Sequence, residues 1–283
     1  MLNERGRARS IAPGEISIAT TAPDLRGHNA LVTNALFPMA MALAEELAAA
    51  GAGLVLVARD AEGLAALAEG LQRRYGTSVT VMAADLSQPE TPRMIFDAAW
   101  AQSPLDLLIH HADHDSAAGN VDLDWAQHEA TLQRHVNAPC ALTHCFSAAL
   151  GARGWGRVLF VTVASAARRA PAGEPIAYAS QAFLRHYAAA LRARWRGSGR
   201  GCTLLCVPAA GPWVFSTSVA PLEPVDTIPA LATSRLARRA VRALLAGSAC
   251  VTPGRLNGLW QTTLSLMSGG MRRWRAKRPR ART

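Results

Sequence analysis

Ser165 and Tyr178 lie thirteen residues apart and are of the types that can share the oxygen of a carbonyl or an alcohol. A hydroxyl can hydrogen-bond such an oxygen, and a phenol can exchange a proton with it. A free phenol has a pKa of about 10, so efficient proton exchange near neutrality calls for a cation beside it. None follows at one helical turn: position 181 is Gln181, position 182 is Ala182, and the only lysine in the chain is Lys277.

Two further groups have chemical residue types. Asn137 stands in Arg134-His135-Val136-Asn137-Ala138-Pro139. A helical asparagine two residues before a proline predicts a kink with freed backbone groups. Its amide either positions a water for proton relay or satisfies the kink. The run His110-His111-Ala112-Asp113-His114-Asp115 holds metal-ligand types. Neighbours on an extended chain point to opposite faces, however, and no HxH or HExxH spacing is present. The reading here is a polar loop and no metal.

The elements that must position these residues alternate. Strands are expected at 30–33, 54–58, 79–83, 105–109, 157–163 and 202–207, and helices at 38–50, 61–74, 92–101, 124–149, 178–196 and 233–245. Such alternation predicts an α/β fold, a single doubly wound parallel sheet (Rossmann-like) with helices on both faces and a C-terminal helical tail. The expected organisation is a flexible arm over 1–25, one domain over 26–250 and an apolar helix with a basic tail over 251–283. Within the domain, the proline-rich segment 208–230 carries Trp213, Phe215, Leu222 and Val225 and reads as an apolar pocket lid. Ser165 then falls at a strand's C-terminal edge, where open parallel sheets bind ligands.

On that same edge lies Thr33-Asn34-Ala35-Leu36-Phe37-Pro38-Met39-Ala40. A strand, a turn and a helix starting here form the usual seat of a dinucleotide pyrophosphate, held by backbone N–H groups. The three glycine slots of such a turn hold Asn34, Pro38 and Ala40. Asparagine tolerates left-handed geometry, but Pro38 removes a donor. An ordinary β–α connection is the equal alternative. At the end of the second strand, Arg59 can pair with a ribose 2′-phosphate, favouring NADP over NAD, or simply sit on the surface. Asp85, beside Leu86, can meet an adenine amino group or simply cap the next turn.

The formal charge of +10 is concentrated at the ends: Arg5, Arg7 and Arg9, and seven basic residues without an acid in Met271–Thr283. The preference for arginine beside abundant alanine weakens any nucleic-acid reading. Leu256, Leu259, Trp260, Leu264 and Met267 can form an apolar face that either covers the domain's own core or, with the basic run, meets an anionic membrane surface. Met1–Ser10 lacks the apolar core of a signal peptide, and the five cysteines form no CxxC pair. Buried free thiols in a cytoplasmic protein are expected.

Together these positions resemble the short-chain dehydrogenase/reductase family over roughly residues 26–215. Asn137, Ser165 and Tyr178 match three members of its Asn-Ser-Tyr-Lys tetrad. The lysine slot falls on Ala182, or on Gln181 if a residue has been lost from the turn. The Thr-Gly-x-x-x-Gly-x-Gly loop survives as Thr33, the Asn-Asn-Ala-Gly segment becomes His110-His111-Ala112-Asp113, and Pro208-Ala209 replaces Pro-Gly. The resemblance implies catalytic positions Ser165, Tyr178, Asn137 and Gln181, the last keeping a ribose hydrogen bond. It implies cofactor positions Thr33, Asn34, Met39, Arg59, Asp85, Leu86, His111 and Ala112. The implied chemistry is NADP(H)-linked hydride transfer between a small apolar carbonyl and an alcohol, with turnover weakened or lost without the lysine. The alternative is a non-catalytic scaffold subunit that pairs with itself or an active relative as a homo- or hetero-oligomer through the helices at 124–149 and 178–196.

Overall fold

The computed structural model describes residues 23–112, 124–151, 153–164, 175–208 and 230–252. Within them, short β-branched and leucine-rich runs form seven strands: β1 (Asn29–Thr33), β2 (Gly53–Ala58), β3 (Val79–Ala83), β4 (Leu107–His111), β5 (Gly156–Ala164), β6 (Arg200–Pro208) and β7 (Cys250–Val251). All pairings are parallel, in the order β3-β2-β1-β4-β5-β6-β7. Strands covered on both faces need no polar alternation, which is why Gly53–Ala58 reads almost wholly apolar. The order reverses between β1 and β4, and that crevice is the ligand-binding switch point of such sheets.

Helices cover both faces. One layer holds α1 (Pro38–Ala49), α2 (Ala61–Tyr75) and α7 (Ala230–Leu245), and its core includes Leu43, Leu47, Leu56, Leu64 and Leu244. The opposite layer holds α3 (Thr91–Gln102), α5 (Ala138–Ala149) and α6 (Pro175–Arg194), packed around Phe96, Phe146, Phe160 and Leu184. Local signals set the ends. The Asp60 carboxylate accepts from the N–H groups of Glu62 and Gly63 to start α2, and Gly76, at φ 66°, stops it. α4 (Trp125–Leu132) opens with a reciprocal Asp124–Gln127 capping box.

A buried carboxylate ties the opposite, N-terminal edge together. Asp106 is 3% exposed; its Oδ2 accepts from the Asn29 N–H at 3.2 Å and its Oδ1 from Arg153 at 3.0 Å. His28 Nδ1 lies 3.2 Å from Oδ2.

The structure corrects several expectations. β4 runs on to His111, so His110 and His111 are buried strand residues and not the start of a polar loop. Burial on both sheet faces lets a strand end carry imidazoles when each packs on an aromatic ring. The helix expected over 124–149, with a kink at Asn137, is interrupted by a π-helical segment, Gln133–Asn137, between α4 and α5. Pro139, which has no N–H, follows it and enforces the break. α6 starts at Pro175, three residues before its expected start. All five cysteines are free, but only Cys202 and Cys206 are buried; Cys250 is exposed because β7 is a two-residue edge strand. No helix among the described residues is long and apolar enough to cross a membrane. The lid at 208–230 and the tail at 251–283 lie outside the described residues, apart from their end residues.

Candidate functional site

The C-terminal ends of β1 and β4 are stitched through side chains. The His111 N–H donates to Thr33 Oγ1 at 3.2 Å, and Asn34 Nδ2 donates to the His111 carbonyl at 2.8 Å. Asn34 has φ 50°, the sole positive φ outside glycine among the described residues. An amide side chain that tolerates this geometry therefore makes the bend that glycine would otherwise make. Phe37 follows and stacks on His111, with ring centroids 5.0 Å apart at 24°. An aromatic stack thus closes this turn.

Pro38 begins α1, and the first helical bond runs from the Met41 N–H to the Phe37 carbonyl at 2.8 Å. The N–H groups of Met39 and Ala40 precede that bond and have no intrahelical acceptor. Both residues are fully buried. Donors left this way at a helix start suit an anion, and they remain although Pro38 has none. Arg59 is exposed at the end of β2 and makes no ion pair among the described residues. Asp85 Oδ1 accepts from the Ser87 N–H at 2.9 Å, so this carboxylate caps the turn that follows it; Leu86 beside it is buried. Ala112 is buried too, and its N–H bonds to the Val161 carbonyl at 3.2 Å. The bend, the two N–H groups without intrahelical acceptors and a guanidinium without an ion pair among the described residues are groups of the kinds that hold phosphates.

Across the crevice, Tyr178 is half-buried in the first turn of α6. Gln181 is 3% exposed and shares the buried face of α6 with Ala177 and Leu184, while Ala182 is only half-buried. The buried slot one turn on is therefore the glutamine. Asn137 ends the π-helical segment with an exposed side chain whose Nδ2 donates to Gln133 Oε1 at 2.8 Å. π-segments recur at functional sites because they free backbone acceptors. Ser165, Asp113, His114 and Asp115 lie outside the described residues, and among the described residues no cluster could hold a metal.

One connection is not readable from the sequence. His135 Nδ1 lies 3.1 Å from Ser180 Oγ, and Ser180 Oγ donates to the Ala177 carbonyl at 2.8 Å. With the serine proton committed, the imidazole Nδ1–H must be the donor to the serine oxygen. Both side chains are buried, so the pair fixes the π-segment against the turn of α6 that carries Tyr178. The partners are forty-five residues apart, and neither residue type announces the pairing.

His110, on the other face of β4 from His111, is fully buried and stacks on Phe160 at 5.3 Å and 8°. Its Nε2 has no partner among the described residues, and burial pushes its pKa down from 6.5 to about 3. The folded state thus keeps this ring neutral while the unfolded chain protonates it below about pH 6.5. Stability from this group is full above that pH and falls towards pH 3, by about 2 kcal/mol between pH 7 and pH 5. Urea titrations across that range should show this slope in the wild type and a flatter one in His110→Leu. Equal slopes would contradict the assignment.

The fold defined here is that of the doubly wound nucleotide-binding sheets, and the comparison with known proteins narrows the class. Residues 28–224 match the short chain dehydrogenase family, and the chain belongs to it. It is 30% identical over 185 residues to the 1-deoxy-11-beta-hydroxypentalenate dehydrogenase of Streptomyces exfoliatus, covering 64% of this chain and 67% of that one. It is 29% identical over 136 residues to the 7beta-hydroxysteroid dehydrogenase of Collinsella aerofaciens, covering 48% of this chain and about half, 51%, of that enzyme. Among solved structures, the short-chain dehydrogenase of Sphingobium yanoikuyae in complex with NADPH superposes with a TM-score of 0.72 at 20% identity, over 90% of this chain and 98% of that one. The bulky-bulky ketone specific alcohol dehydrogenase of Comamonas testosteroni gives 0.72 at 19% identity, over 90% and 97%.

Proposed function

We propose that this chain is an NADP(H)-dependent oxidoreductase that reduces a small apolar carbonyl to an alcohol, with slow turnover. The observations that support this reading are the N–H groups of Met39 and Ala40, which have no intrahelical acceptor, and Arg59, exposed and without an ion pair among the described residues, together with a half-buried Tyr178 in the first turn of α6. Relatives of related chemistry, a hydroxysteroid dehydrogenase and a ketone-specific alcohol dehydrogenase, point the same way.

In this reading Asn34, Met39, Ala40 and Arg59 hold the dinucleotide, which when bound supplies the hydride. Thr33 and His111 keep the crevice floor in register. Tyr178 donates its hydroxyl proton to the substrate oxygen as that oxygen gains charge, and Ser165 hydrogen-bonds the same oxygen. Gln181 occupies the place of a lysine and hydrogen-bonds a ribose, but it offers no positive charge to hold a phenolate. Oxidation of an alcohol requires that phenolate, whereas reduction begins from neutral tyrosine. Turnover should therefore favour reduction. NADPH consumption with a panel of aliphatic and cyclic ketones tests the reading. Activity with NADPH should exceed that with NADH, and Arg59→Glu should reverse the order, raising KM for NADPH at least ~10-fold because a charge-assisted contact becomes repulsive.

A second reading has its own observations. Phe37 stacks on His111 at the end of β4, and Trp125 and Phe183 are 64% and 38% exposed on α4 and α6. A non-catalytic subunit that pairs through these helices accounts for both. It predicts no cofactor binding and a dimer in sedimentation.

A further inference from the structure

The outer face of α7 carries Arg235, Arg238, Arg239 and Arg242, spaced i, i+3, i+4 and i+7, and all four are exposed. This spacing aligns them in one stripe along the helix. The inner face is committed to the core through Leu236, Ala237, Ala240, Val241, Leu244 and Leu245. No acid occurs anywhere in α7. Arg238 is held by Glu46, at 3.1 and 3.2 Å. Arg235, Arg239 and Arg242 have no acidic partner among the described residues. The contrast with α2 is plain: its Arg73 pairs with Glu69 and its Arg74 with Glu45. Three unpaired like charges on neighbouring turns repel one another, and an external anionic surface removes that cost.

We propose that the α7 arginine face binds the surface of an anionic lipid bilayer. A helix of sixteen residues presents its stripe as a nearly straight row, which suits a planar array of headgroups. α7 has no aromatic residue to stack a base, so the nucleic-acid alternative has only charge in its favour. The chain also runs on from β7 into Leu256, Leu259, Trp260, Leu264 and Met267 and then seven basic residues, the composition of an interfacial attachment in the same C-terminal part of the chain as the basic helix. Association is electrostatic and reversible, since no described helix is apolar enough to span a bilayer.

The test is co-sedimentation of the full chain with phosphatidylserine-containing vesicles and with pure phosphatidylcholine vesicles, at low salt and at about 0.5 M salt, where the screening length falls below ~5 Å. Binding should require phosphatidylserine and be lost at high salt. Each arginine near such a surface multiplies the partition coefficient about fivefold, so Arg235→Gln/Arg239→Gln/Arg242→Gln should weaken binding roughly 100-fold. The charge-preserving Arg235→Lys/Arg239→Lys/Arg242→Lys should restore it. All three positions are solvent-exposed, and an unchanged Tm in either variant excludes misfolding as the cause. No binding to anionic vesicles at low salt overturns the proposal, as does full binding by the glutamine variant. Tighter binding to a short DNA duplex than to the vesicles would overturn it in favour of a nucleic-acid surface.

Discussion

Replacing Tyr178 with phenylalanine should lower NADPH-dependent ketone reduction by ~10²–10⁴-fold while leaving NADPH affinity unchanged. The substitution removes one oxygen and keeps the ring, which is half-buried in the first turn of α6, so packing there is preserved. What disappears is the proton donor. With no lysine in the site to hold a phenolate, this proton is the main acid contribution the chain makes to reduction, and the serine hydrogen bond alone does not replace it. kcat should carry the loss, because the tyrosine oxygen matters most when charge develops on the substrate oxygen. Rates within threefold of wild type would remove Tyr178 from the mechanism.

The largest expected structural effect is at Phe160. This side chain is fully buried at the centre of β5, between the His110 ring at 5.3 Å and the Tyr187 ring at 5.9 Å and 63°. Tyr187 in turn stacks on Phe183 at 5.7 Å, so the series runs from beneath the crevice out to the surface of α6. Phe160→Ala deletes the middle of it and leaves a cavity that a sheet paired on both edges closes poorly. The expected loss is about 3–5 kcal/mol, seen as a lower urea midpoint with an unchanged slope. A loss below about 1 kcal/mol would mean that β4 and α6 collapse onto the gap, and that the series does not brace the site.

Much of the architecture was legible because the strands are short apolar runs and the helices have interpretable ends. The helix expected over 61–74 matches α2, which Asp60 caps and Gly76 ends. Pro139 two residues after Asn137 signalled a break in the long helix, although its π-helical form depends on packing against α6 and could not be read locally. The position of β4, two residues further on than the expected 105–109, has a related cause. His110 and His111 look polar by type, yet Phe160 and Phe37, far away in sequence, supply the rings that bury them.

The site was legible where a residue's type limits its conformation. Asn34 at φ 50° is an example, since few residues besides glycine take that bend readily. The lysine slot was left between Gln181 and Ala182, and the burial of α6 now places the glutamine on the inward face. The His135–Ser180 contact could not have been found from spacing, because it depends on where two distant helices meet. Asp85 illustrates a case in which the plainer reading has direct support: its carboxylate accepts from the Ser87 N–H and caps the turn that follows it.

The most direct test of the central claim is titration of the purified chain with NADPH and with NADH, followed by thermal shift. A ligand that binds only the folded state raises Tm with concentration, by about 2.7 kcal/mol of stability at one hundred times Kd. NADPH should raise Tm progressively, and NADH at the same concentrations should leave it nearly unchanged. Failure of both to move Tm at millimolar concentration would contradict the account and favour the second reading, a subunit that pairs through α4 and α6.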